Sequence, residues 1–104
     1  MIRVGIVDDH AIVRTGLRQF LSEQVDLRVT GEAANGREAL ELARGGETDV
    51  MLMDLSMPDH GGVDALAAIK ARFPDLHILI LSGFPEAHYA TTLLRQGASG
   101  YINK

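Results

Sequence analysis

Cysteine is absent from the 104 residues, which excludes a disulfide framework and any thiolate metal site. No apolar run approaches the ~18 residues of a membrane span, and no basic-then-apolar leader opens the chain. The reading that fits these absences is a cytoplasmic protein with no contact with a membrane. Clustered basic residues are missing too. The net charge is -4 and Lys and Arg are scattered singly, so this stretch lacks the basic stripe needed to neutralise nucleic-acid phosphates. Neither a G-x-G-x-x-G fingerprint nor a P-loop GK[ST] is present, which speaks against nucleotide binding. No repeat, low-complexity tract or linker interrupts the sequence.

What is present is an ordinary globular composition, 46% hydrophobic and 23% charged, on a chain of one domain's length. A chain of this size buries roughly 60–70% of its unfolded surface, enough for a single modest core. Ile2–Val7 (IRVGIV) reads as a first strand ending at Asp8-Asp9. His10–Glu23 has helical spacing, with Val13, Leu17, Phe20 and Leu21 on one stripe. A second strand, about Arg28–Ala33, leads into the turn signal Asn35-Gly36 and a helix over Arg37–Arg44, stopped by Gly45-Gly46.

Val50–Asp54 is almost wholly apolar and ends in one carboxylate, as suits a strand buried on both faces. A loop over Pro58–Gly62 precedes a helix over Val63–Phe73, with Val63, Leu66, Ala67 and Ile69 on its apolar face and Pro74 beyond. Met57 and Pro58 are read as shaping that loop, and Gly62 as a backbone device, since glycine permits positive φ. Leu76–Leu81 is a fourth strand ending at Ser82-Gly83. Pro85–Gln96 fits a helix with proline at its first position and Gly97 at its end. Gly100–Asn103 is a short fifth strand closing on Lys104. The order βαβαβαβαβ implies right-handed crossovers and a parallel sheet with helices on both faces.

The polar residues fall at the strand ends. Asp8 and Asp9 end the first strand, Asp54 the third, Ser82 the fourth and Lys104 the fifth. A parallel sheet brings all these ends to one edge, where open α/β sheets bind their ligands. Three carboxylates gathered there repel one another and raise each other's pKa values. A hard divalent cation relieves that repulsion, and an all-oxygen site suits Mg²⁺ rather than zinc. His10, beside the acid pair at a helix start, is read as structural. Any one strand-end aspartate can be a helix cap. Together, carboxylates, Mg²⁺, a hydroxyl and an ammonium are the parts of a phosphoryl-transfer site, in which a carboxylate oxygen can be the acceptor.

These residues carry a resemblance. Over essentially its whole length the chain resembles the receiver domain of bacterial two-component response regulators. Asp8-Asp9 match the family's acidic pair, and Asp54 in DLSMP its phosphoacceptor. Ser82 matches its Thr/Ser, and Lys104 its Lys. DDHAIVRTGL (Asp8–Leu17), NGREAL (Asn35–Leu40) and GASGYINK (Gly97–Lys104) are similar to the NarL/FixJ (LuxR-type) subclass. The resemblance implies a flavodoxin-like, CheY-like doubly wound sheet of five strands in the order 2-1-3-4-5.

It further implies that Asp54 takes a phosphoryl group from a sensor histidine kinase. Asp9 and Asp54 would hold Mg²⁺ directly, with the Ser56 main-chain carbonyl as a third ligand and Asp8 acting directly or through water. Ser82 and Lys104 would contact phosphoryl oxygens, and Tyr101 would be the switch aromatic. Such a receiver catalyses only its own phosphorylation and dephosphorylation. In a longer parent protein the output would be control of transcription through a DNA-binding helix-turn-helix domain.

Departures from the family are also legible. Gly83 stands where Ala is usual, and Phe84 follows at a position where a bulky ring would shield phosphoaspartate from water. The sequence stops at Lys104, so the reading is of a receiver over residues 1–104 without its fifth helix or an output domain. Apolar surface left uncovered would then promote self-association, as in a homodimer, or leave the fold marginally stable. Two rival readings fit less well. An aspartyl-phosphate hydrolase typically has a second Asp two residues after its nucleophile, where Ser56 stands here. An interaction-only receiver would not need Asp9, Asp54, Ser82 and Lys104 intact.

Overall fold

Runs of β-branched and apolar residues form the strands, and the segments with helical periodicity fold between them. Five strands, β1 (Ile2–Val7), β2 (Leu27–Ala33), β3 (Val50–Asp54), β4 (His77–Ser82) and β5 (Gly100–Asn103), alternate with α1 (Ala11–Ser22), α2 (Gly36–Arg44) and α3 (Gly61–Arg72). The structure, a computed structural model, describes residues 1–54, 61–82 and 100–103. The helix expected over Pro85–Gln96, the readings of Ser56, Met57, Pro58, Gly83 and Phe84, and Lys104 lie outside the described residues.

Every pairing in the sheet is parallel, as the alternation of strands and helices predicts, and the strand order is β2-β1-β3-β4-β5, as the resemblance implied. The chain steps from β1 outward to β2 and then returns to the other side of β1 as β3. The order therefore reverses between β1 and β3, and at such a switch point the carboxyl ends of the strands open onto a crevice.

Alternation within the strands distributes side chains to two cores. Val7, Met51, Met53, Ile78 and Ile80 pack with Ala39, Ala43, Leu66 and Ile69 of α2 and α3 on one face. Val4, Ile6 and Leu52 pack with Leu17 and Leu21 of α1 on the other. This is the doubly wound arrangement, with burial on both faces explaining the near-continuous apolar strands. The two faces are covered unequally. Of the four apolar residues spaced along α1, Leu21 is buried and Leu17 packs on the sheet, whereas Val13 and Phe20 stay exposed, Phe20 at 62%.

Helix ends follow local chemistry. Asn35 caps α2, its side chain accepting from the Glu38 main-chain N–H at 2.9 Å. Glu38 reaches back to accept from the Ala34 N–H at 2.8 Å. The first bond satisfies one of the amide groups left open at a helix start, and the second ties the residue before the cap to the first turn. At the other end Gly46 adopts φ 74°, a left-handed value that glycine takes without the Cβ penalty. Gly61 and Gly62 correct the sequence reading: both are the first residues of α3 rather than a loop needing positive φ. At the far end of α3 the Lys70 ammonium donates to the carbonyls of Pro74 and Leu76 at 2.8 and 2.9 Å, tying the helix to the chain entering β4.

Candidate metal centre

The register places two carboxylates side by side at the switch point. Val7 of β1 is level with Met53 of β3, so Asp8 and Asp54 are the next residues on adjacent strands. The end of β1 is fixed on its other side by the Asp8 main-chain N–H, which donates to the Ala33 carbonyl of β2 at 3.0 Å. Both carboxylates are withdrawn from water, each residue being 1% exposed.

Asp9 completes the acid group and is more open, its side chain 24% exposed. The backbone then turns into α1. Asp8 Oδ1 accepts from the His10 main-chain N–H at 2.8 Å, and the His10 ring Nδ1 lies 3.2 Å from the same oxygen. Nδ1 is also 2.9 Å from Asp9 Oδ1. One ligand atom from each of Asp8, Asp9, His10 and Asp54 lies within 4.8 Å of the other three. His10, read from the sequence as structural, thus sits in the same group as the acids. Its position next to them in DDH was the only signal, and adjacency does not say which way a ring turns.

Burial pushes the Asp8 carboxyl above the usual carboxylate range, because a charge that has lost its water is costly. A hydrogen bond to the Asp54 carboxyl and the Asp54 charge push the same way, opposed by the hydrogen bonds from His10. Three carboxylates within reach of one centre, with Asp8 held in its protonated direction, fit a hard divalent cation that takes oxygen ligands. These side chains can hold such an ion and accept an electrophile at a carboxylate oxygen.

The remaining expected residues enter at the level of the backbone. Asp54 is level with Leu81, so Ser82 is the next residue along β4, at the same sheet edge. Tyr101 lies within β5, opposite Ile80. Ser56 and Lys104 are not among the described residues.

The model of the response regulator receiver domain matches residues 4–104. The chain belongs to the response regulator receiver domain family. Response regulator GacA of Pseudomonas viridiflava is 41% identical over 104 residues, covering 100% of this chain and 49% of that protein. Among solved structures, a LuxR-family two-component response regulator from Aurantimonas superposes with a TM-score of 0.93 at 36% identity, over 98% of this chain and 73% of that one. The receiver domain of the putative response regulator NarL from Mycobacterium tuberculosis gives 0.90 at 34% identity, over 98% of this chain and 82% of its own. These relatives bear out the NarL/LuxR-type resemblance and the phospho-signalling class. This receiver chain spans about half the length of the curated relatives it matches. No helix among its described residues is long and apolar enough to cross a membrane.

Proposed function

We propose that residues 1–104 form a receiver in which Asp54 accepts a phosphoryl group from a phosphohistidine on a sensor kinase. An Asp54 oxygen attacks phosphorus, the P–N bond breaks, and the imidazole leaves with the electron pair. The observation that carries this reading is the convergence of the Asp8, Asp9 and Asp54 oxygens at the switch point of a receiver fold.

Asp8, Asp9 and Asp54 would hold Mg²⁺, with the main-chain carbonyl of Ser56 as a further ligand. The ion supplies charge neutralisation for the phosphoryl oxygens. Ser82 and Lys104 contact those oxygens once they are on Asp54, and Tyr101 responds when Ser82 is drawn inward. The protein catalyses only the arrival and loss of its own phosphoryl group, in keeping with Ser56 rather than an acid two residues beyond Asp54.

In a protein of the relatives' length, the part beyond this stretch would carry the output, which we read as transcriptional control in the bacterial cytoplasm. The exposed apolar side chains of α1, Ile12 and Phe20 foremost, form the surface through which we expect a second copy to pair. Sedimentation of the wild type beside Phe20→Ser tests that pairing, and an unchanged monomer in both argues against it.

The deciding experiment is incubation with acetyl phosphate and Mg²⁺ followed by intact mass measurement. One phosphoryl adduct is expected in the wild type and none in Asp54→Ala. An adduct that persists in Asp54→Ala overturns the assignment, and steady turnover of a phosphate ester would favour a hydrolase.

A further inference from the structure

Arg14 has no place in the reading above, yet its guanidinium reaches the acid pair. From the first turn of α1, Arg14 Nη1 donates to the main-chain carbonyl of Asp8 at 2.5 Å. Its Nε lies 3.3 Å from Glu32 Oε1 on β2. Glu32 is fixed in turn by Arg18, one helical turn further along α1. The carbonyl that Arg14 grips belongs to the peptide joining Asp8 to Asp9, so its anchor sets the path of the backbone from which both carboxylates project. Only 20% of the Arg14 side chain is exposed, and it lines a polar cleft with Glu32 and Glu38.

We propose that Arg14 is a positioning residue for divalent-cation binding, holding the Asp8-Asp9 peptide in place through the Asp8 carbonyl while Glu32 orients its guanidinium. This inference rests on the metal-binding reading of Asp8, Asp9 and Asp54. Its signature is a sign that electrostatics alone would reverse. A guanidinium beside a cation site repels the cation, so by Coulomb's law its removal should tighten binding. As a positioning residue its removal must loosen binding, because the ligand oxygens lose their fixed geometry. Groups that orient metal ligands without touching the ion characteristically change metal affinity by ~10–100-fold when lost.

The test is calorimetric titration of Mg²⁺ into the whole chain, for the wild type, Arg14→Gln and Arg14→Lys. Urea denaturation of each in EDTA measures fold stability separately. Affinity is expected to fall roughly tenfold in Arg14→Gln. Arg14→Lys, which keeps the charge but lacks the planar fork, should lie between. Unchanged or tighter binding by folded Arg14→Gln overturns the proposal. If that variant does not fold, Arg14→Lys carries the test: weaker binding at unchanged net charge supports positioning, and equal binding overturns it. A wild type that binds no Mg²⁺ overturns both this inference and the metal site beneath it. A wild type that binds beside an Arg14→Gln of equal affinity overturns this inference alone.

Discussion

Asp49 and Arg3 are joined through both backbone and side chain, across the lower edge of the sheet. The Arg3 main-chain N–H donates to Asp49 Oδ2 at 2.8 Å, and the guanidinium engages both carboxylate oxygens through Nε at 3.1 Å and Nη2 at 2.9 Å. The Asp49 N–H donates back to the Arg3 carbonyl at 2.8 Å. The Arg3 side-chain and main-chain hydrogen bonds hold the Asp49 carboxyl at about 2, below the ordinary aspartate value. A carboxyl lowered on folding stabilises the native state above its unfolded pKa and loses that contribution as the pH falls through the folded value. The stability difference between wild type and Asp49→Asn should thus be constant above about pH 4 and shrink as the pH approaches 2. Urea midpoints across that range check it, and a difference that grows toward acid would contradict it.

Asp8 obeys the opposite sign. Its carboxyl is raised on folding, first by burial and then by Asp54, so the ionised form opposes folding above the ordinary aspartate pKa. Asp8→Asn should raise the melting temperature in EDTA at neutral pH by a few degrees, with the gain vanishing in acid. Adding Mg²⁺ should stabilise the wild type more than the variant. Differential scanning calorimetry with and without the ion separates the two effects.

Leu42 sits over two glycines. Gly5 of β1 is level with Gly31 of β2, and a Cβ added at Gly5 would meet Leu42 Cδ2 at 2.8 Å and Thr48 Cγ2 at 3.2 Å. One added at Gly31 would collide with the other methyl, Leu42 Cδ1. A single Gly→Ala change can be accommodated by turning Leu42 toward the remaining glycine. Changing both leaves it nowhere to turn. We expect Gly5→Ala/Gly31→Ala to cost more than the sum of the singles, within the ~1–3 kcal/mol typical of overpacking for each, and Leu42→Ala to remove the excess. A double-mutant cycle by urea denaturation measures this coupling.

Ile78 is fully buried in β4 against the α2 and α3 face. Ile78→Ala should destabilise the fold by ~2–5 kcal/mol through lost burial and a residual cavity. Asn35→Ala removes the cap of α2 and should cost ~1 kcal/mol. Chemical denaturation of both gives the comparison, and a cap variant costing as much as the core variant would contradict it.

The sheet was legible because its strands are buried on both faces: VMLMD and LHILIL are short apolar runs bounded by turn residues, the pattern of central strands. The acid cluster followed from topology, since parallel strands bring Asp8, Asp9 and Asp54 to one edge wherever their exact ends fall. Two features were not legible. The exposure of Phe20 and Val13 depends on how much of α1 the sheet can cover, which periodicity does not state. The contacts of Arg14 and His10 depend on rotamers and on the turn between β1 and α1, where one residue's shift changes every partner. The start of α3 was misplaced for a related reason: glycine weakens helix propensity, yet Gly61 and Gly62 are carried into the helix that follows.

The pairing of β1 with β3 has a kinetic consequence. Asp8 and Asp54 are far apart along the chain, and no local contact can bring them together. The carboxylates meet only once β1 has closed against β3 across the intervening α1, β2 and α2, a non-local step of the kind that slows folding. An ion held by these acids therefore binds the closed sheet and not the open chain. It should retard unfolding and leave the folding rate nearly unchanged, which makes divalent-ion affinity a late reporter of a finished sheet.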